Sequence, residues 1–94
     1  MTSLIFLAFG CAVPKKKLSK AGRSIQVLQY KPKGNCEVVD KVVGVNSNGS
    51  VELARNHARN LVAKIGGDSI FINEEVGTGK KWKVFATGYL CNPE

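Results

Sequence analysis

The hydrophobic pattern is clearest between Ser50 and Ile72, where SVELARNHARNLVAKIGGDSIFI changes its period once. Ala54, Ala58, Leu61, Val62 and Ile65 recur at three- and four-residue spacing, and Arg55, Asn56, Arg59, Asn60 and Lys64 fill the opposite side. That spacing predicts an amphipathic helix from Ser50 to Ile65. The Ser50 hydroxyl can accept from a first-turn amide, and Glu52 puts negative charge at the positive end of the helix dipole. Gly66 or Gly67 supplies the left-handed residue that ends the helix, and Ile70, Phe71 and Ile72 turn at once into a buried strand. Small Ala54 and Ala58 would let the helix backbone approach a sheet closely.

Strand signals flank this segment on both sides. Residues Ser24 to Tyr30 alternate, with Ile25 and Val27 against Leu28 and Tyr30, and KPKGN at 31–35 is a turn. Cys36 to Val45 is apolar on both sides and predicts a largely buried second strand; NSNG at 46–49 is the loop before the helix cap. Its Asn48-Gly49-Ser50 tripeptide is a glycosylation sequon, meaningful only in a eukaryotic secretory pathway. NEEVGTGKK, residues 73–81, reads as a glycine-rich hairpin connection. Gly79 and Lys80 do not complete a phosphate loop, because Glu74 stands where glycine is required, Lys81 stands where Ser or Thr is required, and a strand follows. Along the last strand, Lys81 to Cys91, Trp82, Val84, Ala86 and Leu90 share the face expected under the helix. Lys81, Lys83, Phe85, Thr87, Tyr89 and Cys91 share the other, and Gly88 marks a bulge or a close approach. The elements predict an α+β fold: a small two-layer sandwich with a mainly antiparallel sheet of about four strands, in the order β-β-α-β-β, and one helix packed on one face.

At 94 residues the chain bounds one domain with a small core, for which a covalent staple matters. The net charge of +7 favours nucleic acid, anionic lipid or an acidic protein surface as partner, or is simply a solvated exterior. Cys11, Cys36 and Cys91 lie far apart without a C-x-x-C pair, and His57 is the single histidine, so no metal site, redox motif or cofactor is expected. Trp82 between Lys81 and Lys83 suggests a base-stacking platform, but strand alternation turns the indole away from both lysines. His57 has no carboxylate or nucleophile at helical spacing and Asp68 reads as polar punctuation, so no catalytic residue is assigned. Cys36 opens one strand and Cys91 closes another, a placement that can join them across a sheet in an oxidising compartment. In a cytosolic protein the same two would be unrelated thiols.

Leu4 to Phe9 is an apolar run too short to span a bilayer, and it ends in Ala8, Phe9, Gly10 and Cys11. It resembles a bacterial lipoprotein signal peptide with its lipobox, although no Lys or Arg precedes the run and Ala8-Phe9 replaces leucine followed by a small residue. The resemblance implies a signal peptide over 1–10, a lipid on the Cys11 thiol, a basic tether over 11–23 and an α+β domain over 24–94. Lys15, Lys16, Lys17 and Lys20 would then lie beside an anionic bilayer surface. Read without it, the run is a buried strand with a chance cysteine and the lysines belong to a charged linker. Ala12, rather than aspartate, after the cysteine implies an outer-membrane destination.

Taken with a cysteine before a V-x-G strand, ARNLVAKIGGDSIFI, and a terminal GYLC, the chain resembles the small bacterial lipoproteins related to the Rcs envelope-stress sensor. The likeness runs over nearly the whole chain. Ala63, Gly66, Gly67, Asp68 and Ile70 match the family's passage from helix to strand, and Cys36 and Cys91 correspond to its upstream and terminal cysteines. The stress sensor proper has further cysteines and a longer proline-rich tether. The resemblance implies a non-enzymatic, periplasm-facing domain with a Cys36–Cys91 disulfide, held to the outer membrane by its N-terminal lipid. Its partner would be an envelope protein or anionic lipid, with Lys81 and Lys83 adding to the cationic surface. The alternative is a small basic nucleic-acid-binding domain in the cytoplasm.

Overall fold

The computed structural model describes residues 20–91; the expected signal peptide, Cys11, and Lys15, Lys16 and Lys17 of the expected tether lie outside the described residues. The six elements are α1 (Lys20–Arg23), β1 (Gln26–Val27), β2 (Glu37–Asn46), α2 (Val51–Lys64), β3 (Ser69–Thr78) and β4 (Lys81–Leu90).

Local chemistry sets the limits of α2. The Ser50 side chain accepts from the Leu53 amide at 3.0 Å, and Glu52 lies in the first turn. At the other end Gly66 takes φ +96°, the Gly66 amide donates to Ala63 O and the Gly67 amide to Val62 O, so a Schellman motif absorbs the last carbonyls. Ala54, Ala58 and Val62 are fully buried, whereas Ile65, expected on the apolar seam, is 40% exposed because the helix has already ended at the residue before it.

The sheet order is β1-β3-β4-β2. Two long antiparallel ladders, β3 with β4 and β2 with β4, dominate it, and β1 adds a two-residue parallel pairing to β3. The sheet is therefore α+β in the expected sense, with α2 across one face. Ile70, Val84 and Ala86 meet Ala54, Ala58 and Val62 there, and Ile25 closes the core beside β1.

Four expectations need correction. The first strand is only Gln26–Val27: after the Leu28 amide donates to Ile70 O, the chain must leave β3 to reach the far edge of the sheet, and Tyr30 is exposed. β2 is an edge strand rather than a buried one, with Val38 and Val43 exposed. The stretch 73–78 is not a connection but the second half of β3, held by pairing to β4 through Thr78↔Lys81, so only Gly79 and Lys80 turn. Gly79 has φ +64° while the following Lys80, like every other described non-glycine residue, does not have positive φ, the pattern of a type II′ hairpin turn. Finally, Lys20–Arg23, assigned to the irregular tether, forms a helical turn that packs against α2, and Gly22 within it is buried.

Glycines let the layers approach. A Cβ at Gly44 would lie 2.2 Å from Ala54 O and 2.6 Å from the Ala58 nitrogen, and one at Gly88 would lie 3.0 Å from a Val62 methyl. The small helix residues and these sheet glycines are two halves of one contact.

Candidate functional site

Cys36 and Cys91 stand immediately outside the last pair of the β2–β4 ladder, Glu37↔Leu90, and are joined by a disulfide with the Cα atoms 4.1 Å apart. The bond ties the start of the edge strand to the end of the central one. Asp68 gathers the same corner: its Oδ1 accepts from the Cys91 amide at 2.8 Å and from Ser69 Oγ, while its backbone joins Tyr89 O and the Gln26 amide. The residue read as punctuation is thus the junction of β1, β3 and β4. Its position just after the Schellman glycines was the one available signal.

His57 also has a structural partner. Its Nδ1 accepts from the Val45 amide at 2.9 Å, across the free edge of β2. The Lys41 amide, four residues back along β2, is met by the Asp40 carboxylate at 2.8 Å. Both contacts occupy backbone donors that would otherwise invite another strand. Asn46, fully buried, accepts from the Asn48 and Ser50 amides through Oδ1 and so shapes the loop that presents the helix cap. None of these groups lines the hollows described below, and no cluster of three His, Cys, Asp or Glu side chains suited to a metal exists among the described residues.

Arg55 and Glu75 form a two-pronged ion pair between α2 and β3, Nε to Oε2 and Nη2 to Oε1 at 2.8 Å. The hydrogen bonds from Arg55, ahead of its charge and against the opposing effect of burial, hold the Glu75 carboxyl below its ordinary range. The Arg55 guanidinium is raised by the same partner.

A concavity of about 560 Å³ lies on the sheet face away from α2 and includes Lys31, Lys41, Phe85, Thr87 and Tyr89 in its lining. Thr87 and Tyr89 are buried although they face away from the helix, since the connection from β1 to β2, carrying Lys31, crosses that end of the sheet. Asn73, bulged from β3, donates to Thr87 Oγ1 at 2.9 Å on the same side. A second hollow continues from Phe85 to Val76, Thr78, Lys81 and Lys83. The sequence-assigned Lys81 and Lys83 therefore share one face. Trp82 lies on the other, against Gly77 and the core, and cannot stack a base between them. The cationic Lys31 and Lys41, absent from the sequence assignment, join this face through register and the path of the connection, neither of which is local.

No described helix is long and apolar enough to cross a membrane. No family model, curated protein or solved structure matches the chain.

Proposed function

We propose that this is a lipid-anchored envelope domain facing the periplasm, non-enzymatic, that works by binding or sensing at its surface. The observation that carries the reading is the Cys36–Cys91 disulfide. Such bonds persist in oxidising compartments, and pairing these two leaves Cys11 as the one remaining cysteine, directly behind the N-terminal apolar run. A lipid on that thiol gives the odd cysteine a chemistry and the short apolar run a purpose. The non-enzymatic part is supported by His57, whose Nδ1 lone pair is taken by the Val45 amide, since a general base needs a free lone pair directed at substrate.

Intact-mass spectrometry of the protein isolated from its native membrane tests the anchor. The expected species begins at Cys11 and carries a diacylglyceryl group and an acyl chain, and Cys11→Ser abolishes both processing and membrane retention. An unmodified chain that begins at Met1 refutes the proposal.

A further inference from the structure

The two faces of the sheet differ in charge in a way that net charge conceals. By ladder register, Glu37 pairs with Leu90, Asp40 with Gly88 and Glu75 with Val84, so all three acids belong to the helix side. Lys41 pairs with Thr87, while Lys81 and Lys83 line the outer hollow, and Glu74 is the one strand acid on that outer face. Lys31 adds a fourth cation from the connection above. Between the lysines the face carries Val43 and Val76, 41% and 38% exposed, and Phe85 between the two hollows, with Glu74 as the cross-strand neighbour of Phe85.

We infer that this outer sheet face is a docking surface for an anionic phospholipid bilayer, whose phosphates meet Lys31, Lys41, Lys81 and Lys83 while Val43, Val76 and Phe85 press into the interface. Cations around an apolar patch fit a surface that is itself negative outside and hydrocarbon beneath. A second copy on this face would set lysine against lysine. A nucleic acid would find the same cations, but the ring left to it between them is Phe85, half-buried between the two hollows, because Trp82 is on the far side and the Tyr89 ring is buried. The inference deepens the reading above, in which a lipid at Cys11 keeps the domain beside a bilayer.

The test uses the full chain, oxidised and carrying Cys11→Ser so that no lipid contributes, in sedimentation with phosphatidylcholine vesicles with and without phosphatidylglycerol. Two variants lose equal charge: Lys41→Gln/Lys83→Gln on the face, and Arg23→Gln/Lys64→Gln at exposed positions on α1 and α2. Each face lysine is worth roughly 5-fold in partitioning, so the face variant should bind anionic vesicles roughly 25-fold more weakly and the control about as well as the parent. Circular dichroism checks that both keep the fold. Equal losses in the two variants, or no preference of the parent for anionic vesicles, overturn the inference. So do two other results: loss of single-stranded oligonucleotide binding in the face variant with vesicle binding unchanged, or a concentration-dependent dimer that buries the face. Because no lipid is attached in this assay, its failure leaves the anchor untouched, and an unlipidated native mass leaves the vesicle result standing.

Discussion

Replacing Gly44 by alanine probes the contact on which the two-layer architecture depends. A methyl group there would sit 2.2 Å from Ala54 O and 2.6 Å from the Ala58 nitrogen, about 1 Å inside the distance at which such atoms pack. Both are main-chain atoms in the middle of α2, so no rotamer change relieves the overlap and the helix must lift. The buried seam of Ala54, Ala58 and Val62 holds dispersive contacts on the order of 10 kcal/mol, and a gap of about 1 Å forfeits a quarter to a half of them. We expect Gly44→Ala to lose about 3 kcal/mol, at the upper end for overpacked interiors and a large share of the stability of so small a domain. Elsewhere in a strand the same change would gain about 0.5–1 kcal/mol, so the sign itself is diagnostic. Urea unfolding followed by circular dichroism, with the disulfide intact, measures it. Adding Ala58→Gly should not restore stability, because the closest clash is with backbone. A Gly44→Ala protein as stable as the parent, or full rescue by Ala58→Gly, would refute the packing argument.

Three further outcomes follow from particular contacts. Cys36→Ser/Cys91→Ser frees a span of 55 residues in the unfolded chain, so chemical denaturation should show a loss of about 4 kcal/mol; an unchanged midpoint would mean that the bond constrains little. The folded-state carboxyl of Glu75 is depressed, so its stabilisation is complete above the ordinary value of about 4.5 and is lost as pH falls through the lower folded value. With Arg55 44% exposed the pair is worth at most about 1 kcal/mol, and Glu75→Gln should flatten this acid limb in a stability-versus-pH series. His57→Ala removes the acceptor of the Val45 amide and should cost about 1 kcal/mol, with faster hydrogen exchange at that amide by NMR; unchanged exchange would show that His57 does not guard the edge.

The limits of α2 were legible in the sequence because a cap and a stop are made by neighbours in the chain: Ser50 meets the Leu53 amide, and Gly66 needs only its own freedom at positive φ. The alternation of β4 was legible for a similar reason, since a strand's period of two places Val84 and Ala86 opposite Lys83 and Phe85 whatever the partners are. What the other strands and the connection bring to each face of the sheet was not legible. The extension of β3 to Thr78 depends on the ladder with β4, which overrides one glycine and two glutamates that read locally as a loop. The shortness of β1 depends on a topology in which the next strand lies at the opposite edge, and the burial of Thr87 and Tyr89 depends on the connection that crosses to it. Gly44 looked like any strand glycine until α2 came to rest on it, and His57 had no partner until the Val45 amide lay beside it at the edge. Signals carried within one or two turns of chain determined the elements themselves. Contacts between residues tens of positions apart, settled only when the sheet closes its register, decided which side chains share a surface.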